Sequence, residues 1–497
     1  MRLNAVGRLL GVVTVVSVMS MSRMAAGQAD GPPPGETSVI QAAPEAPDPS
    51  ADTSEPLPKP KYLNLRYDED FSYLDGPEGS YEPDFFDPIK NIHLDDEWRL
   101  SIGGEFRFRL ESETNKAFGA GSPSNDTFEL YRYFLHTDLK YRNLFRVFAQ
   151  GVLVHDEHRD RAPRGIDENI MDVQQLFFDL RVLGEDVPLT LRAGRQELQY
   201  GAQRLISPLE WANTRRRFDA VKLFWTAEDW RIDAFYAKPV PVQRRGFDDY
   251  NEDFDLYGLY VTYSGIRGHG IDAYFFAVDN TGAPVNPNFK AGDESRYTLG
   301  SRFWGETGAL DYEAEVAGQW GRWAGDTIQA WSVTGYGGYT WDCPAEPRLG
   351  VGFDWASGDH DPTDGKVGMF DQLFPLGHKY FGFLDLVGRQ NVSAVSADLS
   401  AWLLPKKVKG RIGYQTFWLA SRKDALYNAG GASTRRDVAG NSGREVGHEI
   451  DLTVLWSIDV HSTVLLGYSH LWDSDVIINT GSSEDPDLFY IQYQFKF

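Results

Sequence analysis

The chain has 497 residues, of which 14% are aromatic and 49 are glycine, and its formal net charge is −23 at pH 7. This acidic balance argues against a nucleic-acid partner, which would need a basic footprint. The single cysteine, Cys343, cannot form an internal disulfide, so a disulfide scaffold is excluded.

The first 29 residues have the pattern of a secretory signal peptide. Arg2 and Arg8 precede the apolar stretch LLGVVTVVSVMSM, and the small-residue sequence AAGQA follows. The apolar stretch is shorter than the ~20 residues that a membrane-spanning helix needs. We expect cleavage and export, with a retained anchor as the alternative.

The sequence predicts three further regions. Residues 30–60 are rich in Pro, Ala, Ser and acidic residues and carry almost no apolar bulk, which predicts a disordered linker. Residues 61–97 are aromatic and acidic without a clear period, and we expect an ordered lead-in on the periplasmic side. Residues 98–497 are expected to form one large sheet domain.

From Trp98 onward, apolar and polar residues alternate. In LYRYFLHTDLKYR one face would carry Tyr131, Tyr133, Leu135, Leu139 and Tyr141, and the other Arg132, His136, Asp138, Lys140 and Arg142. Tight turns around Asn143 and at TAEDW, SGIRGHG, WGETG, LLPKK and SIDVH indicate hairpins. Much longer connections separate the hairpins, at 155–171, 196–216, 239–253, 279–294, 356–389, 420–446 and 473–487. Short turns at one end and long loops at the other are typical of a transmembrane antiparallel up-and-down β-barrel of the outer membrane.

Counting the alternating runs predicts about 18 strands, an even number as such barrels require. The runs are 98–110, 128–142, 144–154, 172–183, 188–195, 217–226, 229–238, 254–264, 269–278, 295–304, 308–320, 328–341, 346–356, 390–404, 407–419, 446–457, 461–472 and 487–497. A soluble sandwich also alternates, but its apolar face would be a core of mixed aliphatic residues. Here aromatic residues lie at the run ends, as in membrane girdles: Trp225, Trp230, Tyr236, Trp304, Trp320, Trp341, Trp355, Trp402 and Trp418.

The last nine residues, FYIQYQFKF, predict the strand that closes the barrel. Phe489 to Phe497, taken in alternation, would face lipid, and Gln492, Gln494 and Lys496 would face the lumen. This stretch resembles the carboxyl-terminal insertion signal of outer-membrane proteins, so we expect the barrel-assembly machinery to recognise it.

The charged phase of the strands would place a basic wall in the lumen. Its members are Arg107, Arg109, Arg132, Lys140, Arg142, Arg146, Arg181, Arg192, Lys222 and Arg231, and later strands add Arg296, Arg302, Arg348, Lys409 and Arg411. The inward acids would cluster elsewhere, at Asp311, Glu313, Glu315, Glu449 and Asp451. A basic wall favours anions in a pore. The alternative is that these residues pair with Asp138, Asp179 and Asp233 and only solvate the lumen.

Two long loops carry specific motifs. The segment AGRQELQYGAQRLISPLEWANTRRRFDAVKL, residues 193–223, contains Arg195, Arg204, Arg215, Arg216 and Arg217. The segment ASGDHDPTDGKVGMFDQLFPLGHKYFGFLDLVGRQN spans residues 356–391. Together they resemble the alginate-export family of outer-membrane porins, over most of the chain after Trp98.

The resemblance implies a monomeric barrel of 18 strands with an electropositive pore, which in the best-known member exports the anionic polysaccharide alginate. That member also has a long periplasmic turn between its sixteenth and seventeenth strands that helps to occlude the pore, whereas Ile458 to His461 is short here. We therefore expect an outer-membrane channel that passes anionic solutes, with export of an anionic polysaccharide as the function. A general or solute-selective uptake porin is the alternative. The rail for anions would be Arg107, Arg109, Arg132, Lys140 and Arg192, and the 196–216 loop, with Arg204 and Arg215 to Arg217, would fold inward as a constriction.

Other classes of site have weaker support. Asp359, Asp361, Asp364 and Asp371 could bind calcium, but their spacing is not that of an EF-hand, and turn chemistry is the other interpretation. The loop histidines His155, His158, His360 and His378 are expected to be solvated. No nucleophile elbow or Gly-rich phosphate loop is present, so we expect neither an enzyme nor a cofactor. The expected partners are outer-membrane lipid and lipopolysaccharide, the assembly machinery, and anionic polysaccharide or small anions.

Overall fold

The computed structural model describes residue 57 and residues 59–497, so the predicted signal peptide and nearly all of the predicted linker lie outside the described residues. The described strands are β1 (Ile92–His93), β2 (Trp98–Thr114), β3 (Asp126–Tyr141), β4 (Phe145–Glu157), β5 (Asn169–Arg181), β6 (Leu189–Gln196), β7 (Phe218–Thr226), β8 (Trp230–Pro239), β9 (Phe254–Ile266), β10 (His269–Asn280), β11 (Glu294–Thr307), β12 (Leu310–Trp323), β13 (Asp326–Thr340), β14 (Arg348–Ala356), β15 (Lys366–Val367), β16 (Val392–Leu404), β17 (Val408–Leu419), β18 (Leu426–Tyr427), β19 (Ser433–Arg435), β20 (Glu445–Ser457), β21 (Ser462–Asp473) and β22 (Asp487–Lys496). One short helix, α1 (Asp475–Ile478), and the 3-10 turns Arg66–Asp68, Ser72–Asp75, Asp87–Ile89 and Gly377–Lys379 complete the described regular structure. None of the described helices has the length and apolarity that a membrane span would need.

Eighteen of these strands form one closed antiparallel barrel, namely β2 to β14, β16, β17 and β20 to β22. The barrel closes where β22 pairs with β2, with Lys496 opposite Glu105. The predicted fold and strand number are therefore confirmed. Closure leaves no free sheet edge, which a structure surrounded by lipid requires.

The strand alternation separates an outer from an inner face as predicted. On β3, Leu135 is 60% exposed, whereas Arg132 and His136 on the other phase are 0% and 3% exposed. In the closing strand, Phe489 is 45% exposed and Tyr490 only 1%. The outer face is apolar with aromatic ends, and the inner face is buried.

The observed strand bounds differ from the predicted bounds at one end of the barrel. β2 continues to Thr114 and β3 starts at Asp126, so the connection is residues 115–125, shorter than the predicted gap of 111–127. Between β12 and β13 the connection is only Ala324 and Gly325, both with positive φ (+50° and +87°). A tight hairpin therefore replaces the expected break at 321–327.

The two ends of the barrel differ in their connections. We call the end with residues 142–144, 227–229, 267–268 and 458–461 the turn end, and the other end the loop end. Two loop-end connections fold into the barrel: the first inner loop (residues 197–217) and the second inner loop (residues 357–391). Their apolar residues Leu205, Ile206 and Phe381 share one buried cluster with wall residues such as Phe235 and Phe417. The hydrophobic core of the molecule thus lies inside the barrel.

Candidate functional site: the filled lumen

Three arginines of the predicted basic wall lie on neighbouring strands, and from here on the name basic wall refers to these three. Arg107 and Arg109 on β2 and Arg132 on β3 are 2%, 1% and 0% exposed. Arg107 and Arg132 stand directly opposite each other in the ladder. Like charges in this position repel, so the wall depends on nearby acceptors.

The main chain of the first inner loop supplies most of these acceptors. Arg107 donates to the carbonyl oxygens of Glu210 (2.9 Å) and Ala212 (2.7 Å). Arg132 donates to the same two oxygens, each at 3.1 Å. Arg109 donates to the carbonyl oxygen of Trp211 at 2.8 Å. Three consecutive carbonyl groups of the loop therefore cap the three guanidinium groups.

Carboxylates complete the wall only in part. Glu105 pairs with Arg132 (2.6 Å) and Glu111 with Arg109 (2.7 Å), and both acids belong to β2. The third carboxylate is Glu210 of the first inner loop, 2.5 Å from Arg132. The strands themselves thus oppose three guanidinium groups with two carboxylates.

The surroundings of Glu210 favour its ionised form. Burial raises its pKa, but the guanidinium groups of Arg132 and Arg215 outweigh burial and hold that pKa well below the ordinary value. The loop therefore carries a negative charge to the basic wall.

The opposite wall is acidic, as the alternation predicts, and it receives cations from the inner loops. Arg204 of the first inner loop pairs with Glu315 on β12 at 2.8 Å and also contacts Glu313. Arg389 of the second inner loop pairs with Asp354 on β14 at 2.6 Å. The two loops thus present oxygens to the basic wall and guanidinium groups to the acidic wall.

A second pair of buried acids, Glu449 and Asp451 on β20, holds the second inner loop by its main chain. Glu449 accepts from the N–H of Leu384 at 3.0 Å, and Asp451 from the N–H of Phe383 at 3.3 Å. Gly382 has φ +83°, and a Cβ at this position would clash with the Glu449 carboxylate. Glycine is therefore required for the close approach of the loop to β20.

A ring stack joins the basic wall to both inner loops. The Arg109 guanidinium lies 3.8 Å from the centre of the Trp211 ring. Trp211 stacks on His378 (3.7 Å, 8°), and His378 stacks on Phe383 (4.5 Å, 14°). This series crosses from β2 through the first to the second inner loop. We call the residues Arg109, Trp211, His378 and Phe383 the central stack.

Main-chain bonds also link the two loops. Phe374 donates to the carbonyl oxygen of Leu205 (2.8 Å), and Leu376 to that of Gln203 (2.9 Å). A cavity of about 10 Å³ is lined by residues that include Arg204, Tyr274 and Glu315. In this state the inner loops fill the middle of the lumen.

Two residues of the predicted basic wall, the rail residue Lys140 and Arg142, lie apart from Arg107, Arg109 and Arg132. Lys140 is at the turn end of β3, 39% exposed, and pairs with Asp138. Arg142 lies in the turn after β3, which ends at Tyr141; it has φ +48° and pairs with Glu185 at 3.0 Å. Its prediction as a lumen residue is wrong, since the alternation stops one residue before it.

The fifth predicted rail residue, Arg192 on β6, is buried and paired. Its Nε lies 2.7 Å from Asp179, as the alternative of internal pairing supposed. The same pattern holds for Lys222 with Asp233 (3.4 Å). Both cations are thus paired with strand carboxylates, as Arg132 is with Glu105 and Arg109 with Glu111.

The three consecutive arginines at the end of the first inner loop have separate partners. Arg215 pairs with Glu197 at 2.6 Å, and Arg217 with Asp172 at 2.6 Å. Arg216 donates to carbonyl oxygens, and burial lowers its pKa to about 10. These residues hold the loop in place rather than facing an open path.

The aspartates of the second inner loop make turn contacts. Asp359 accepts from the N–H of Asp361 (3.1 Å) and of Gly368 (3.0 Å). Asp364 accepts from the N–H of Lys366 at 2.8 Å. These bonds are those of the turn interpretation, and calcium binding by Asp359, Asp361 and Asp364 stays an untested prediction.

The histidines differ from the expectation at two positions, of which the first is His155, which lies on strand β4 and stacks on Tyr131 at 4.8 Å. His158 is 73% exposed, but His378 is 7% exposed within the central stack, so its predicted solvation is wrong. Among the described residues, one group brings its ligand atoms as close together as a metal site requires. It consists of Glu129, Glu157 and His158 on the outer rim.

Sequence reasoning missed the residues that close the lumen. Glu210, Trp211 and His378 were not among the predicted site residues, although Trp211 lies in the Arg-rich motif. A tryptophan beside an acid in a loop otherwise rich in arginine was the available signal, because an aromatic ring in such a loop can stack on a guanidinium group.

A closed barrel of eighteen strands with an apolar outer face and a charged inner face defines an integral channel of the outer membrane. The model of the family described as Alginate export matches residues 98–491, and the chain belongs to this family. No curated protein matches the chain.

Solved structures of outer-membrane proteins from Pseudomonas aeruginosa share the fold. OpdQ is 11% identical to this chain, and the match covers 81% of this chain and 99% of OpdQ with a TM-score of 0.53. OpdK, solved with vanillate, is 10% identical, with coverages of 80% and 98% and a TM-score of 0.54. OprD is 10% identical, with coverages of 80% and 94% and a TM-score of 0.52. At these identities the likeness concerns the fold alone.

Proposed function

We propose that this channel passes anionic solutes along the basic wall, and that its cargo is an anionic polysaccharide moving outward. The observation that carries the proposal is the capping of Arg107, Arg109 and Arg132 by carbonyl oxygens of the first inner loop. Carboxylate oxygens of a passing solute would occupy the same positions once the loop withdraws.

Charge supports the same proposal. Withdrawal of the first inner loop removes Glu210 and leaves three guanidinium groups opposite Glu105 and Glu111. Charged side chains on a low-dielectric wall focus the local field. The excess positive charge therefore acts on solutes even though the net charge of the whole chain is negative. Arginine also binds carboxylates in a planar, bidentate manner, which suits uronate groups.

Family membership supports a polysaccharide as the cargo and export as the direction. Fold alone carries several functions, so the cargo requires a direct test.

The test is the reversal potential in a planar bilayer under a salt gradient. We expect anion preference for the wild type and for a Trp211→Ala channel in which the stack is broken. Adding Arg107→Gln and Arg132→Gln should reduce that preference, most clearly in dilute salt, because the screening length falls from ~10 Å at 0.1 M to ~3 Å at 1 M.

The matched control is Arg348→Gln. Arg348 also faces inward, but it pairs with Asp311 on the acidic side at 2.6 Å. This variant should keep the anion preference. A cation-selective wild type would refute the proposal.

Cargo is tested by block of the ion current. Charged oligouronates should interrupt the current of the Trp211→Ala channel, and neutral oligosaccharides of the same length should not. Equal block by both would contradict anionic recognition, and block only from the loop end would favour uptake over export.

A further inference from the structure

The lead-in segment (residues 61–97) inserts Tyr67 into the turn end of the lumen. Tyr67 is 4% exposed and packs edge-on against Phe177 (5.4 Å) and Phe148 (6.1 Å). The Arg192 guanidinium lies 4.2 Å from the centre of the Tyr67 ring. Tyr67 is thus a buried part of the lumen, although it precedes the first barrel strand.

The same segment contacts both stems of the first inner loop. At the starting stem, Tyr67 donates from Oη to the carbonyl oxygen of Glu197 (3.0 Å), and Asn64 donates to Gln199 (2.5 Å). At the returning stem, Arg215 donates to the side-chain and main-chain oxygens of Asn64, each at 3.0 Å. Four hydrogen bonds therefore connect residues 64–67 to the loop.

The segment is fixed to the barrel at its seam. Arg66 donates to the carbonyl oxygens of Gly104 (2.9 Å) and Phe497 (2.8 Å), on the two strands that close the sheet. Lys90 donates to the carbonyl oxygen of Ile102 at 2.8 Å, and Phe86 stacks on Phe497 at 5.0 Å. The barrel strands therefore hold the lead-in segment in a defined position, on the turn-end side of the first inner loop.

We propose that residues 62–69 are an autoinhibitory segment, which enters the lumen from the turn end and holds the first inner loop against the basic wall. This inference rests on the proposed function, because it requires that the first inner loop closes the channel. The segment grips the loop at Glu197 and Arg215, near its two ends, so the loop cannot swing about one stem while the segment is docked.

The contacts also define the direction of control. The loop emerges from the loop end, whereas the segment enters from the turn end, so an event at the turn end reaches the loop through residues 64–67. Pulling on the chain before residue 62 would withdraw Asn64 and Tyr67 first, and the loop would lose the contacts at both stems together.

The first test compares single-channel openings of conservative variants in the full chain. Asn64→Ala removes the side-chain bonds to Gln199 and Arg215, and Tyr67→Phe removes the bond to Glu197 while keeping the ring. We expect the opening frequency to rise on the order of tenfold for Asn64→Ala and several-fold for Tyr67→Phe, the scale of lost buried hydrogen bonds.

The matched control is Tyr81→Phe. Tyr81 belongs to the same lead-in segment but packs edge-on against Tyr73 at 5.9 Å, away from the inner loops. Its opening frequency should equal that of the wild type. Equal frequencies for all three variants and the wild type would overturn the proposal.

The second test locks the segment. In a Cys343→Ser background, Asn64→Cys and Gln199→Cys are joined by a short bis(methanethiosulfonate) reagent, which forms a reducible disulfide with each thiol and releases methanesulfinate. We expect the joined channel to stay closed and a reductant to restore openings, whereas openings that persist in the joined channel would overturn the proposal. Retained heat-modifiable migration on a gel confirms that each variant is folded.

The two proposals fail separately. If the channel prefers cations while Asn64→Ala still raises the opening frequency, the proposed cargo is wrong and the autoinhibitory segment stands. If anion preference is found while both tests leave the openings unchanged, the segment has no inhibitory role and the cargo proposal stands.

Discussion

Replacing Trp211 by alanine should open the channel, because this residue links the basic wall to both inner loops. The substitution removes the contact with Arg109 (3.8 Å), the stack on His378 (3.7 Å) and the edge contact with Tyr490 (5.0 Å). It leaves the loop main chain, with its carbonyl caps on the arginines, chemically unchanged.

The magnitude follows from these three contacts. A desolvated cation–π contact contributes about 2 kcal/mol. Each aromatic pair adds about 0.5–1.5 kcal/mol beyond its buried area. Because water that enters the vacated space recovers part of this energy, we take about 3 kcal/mol as the loss of closed-state preference, which corresponds to roughly a 100-fold change in the ratio of closed to open states.

The assay is single-channel recording of purified wild-type and Trp211→Ala protein in planar bilayers. The matched control is Trp331→Ala, because Trp331 is 53% exposed on the outer face and lies outside the lumen. The reasoning fails if Trp211→Ala opens no more often than the wild type, or if Trp331→Ala opens to the same extent.

Four further predictions concern the barrel and its closing segments. Leu135→Lys should lower the folded fraction on a heat-modifiability gel, because a basic residue on the lipid face costs ~2–4 kcal/mol near the midplane. The inward control Ser396→Lys should not, since Ser396 is half-buried on the inner face of β16, two residues from Asp398 on the same face; equal losses would contradict the assigned faces. Phe497→Asp should reduce the amount of folded protein in cells, because Phe497 stacks on Phe86 and its main chain bonds to Gly104; wild-type amounts would count against this interpretation. Gly382→Ala should increase protease cleavage within residues 357–391, because the added Cβ displaces the loop from Glu449; unchanged cleavage would mean that the loop tolerates the clash. Burial, with Arg66 nearby, lowers the pKa of Lys90 from 10.5 to about 8 despite Glu69 and Asp84. The docked lead-in therefore binds fewer protons than the free segment between these values, so docking strengthens as the pH rises from 8 to 10 and openings become rarer. Lys90→Met should remove this dependence, and its persistence would assign the effect to another group.

The period-two pattern was sufficient to predict the barrel wall. Alternation alone assigns Leu135 to the outer face and Arg132 to the inner face, because a strand has only two faces and lipid requires one of them to be apolar. The strand number follows from the same pattern. The residues at which the strands begin and end do not follow from it. An error of one residue assigned Arg142 to a strand, although it lies in a turn.

The contents of the lumen were less predictable. Sequence places Arg107 inward, but it cannot tell that its acceptors are carbonyl oxygens about a hundred residues later, since every peptide carries such an oxygen. Sequence also places His136 on the inner face but does not reveal its packing. In the structure it stacks on Phe148 at 5.2 Å and is 3% exposed, so a lysine there would lose packing.

The lead-in was the least predictable region. Its aromatic and acidic composition has no period, and its partners lie far away in sequence, such as Phe497 for Arg66. Contacts of this kind depend on the closure of the barrel, which brings the first and last strands together. A local pattern cannot encode a neighbour that exists only after closure.

The carbonyl groups of Glu210, Trp211 and Ala212 act on the basic wall as a ligand that the protein carries with it. Any solute that binds Arg107 or Arg132 must compete with this tethered ligand, so its apparent affinity is its intrinsic affinity reduced by the fraction of channels in which the loop is withdrawn. Substitutions in the loop that never touch the solute would therefore change its apparent affinity, and a solute unable to replace the lost hydrogen bonds would gain nothing from an open path.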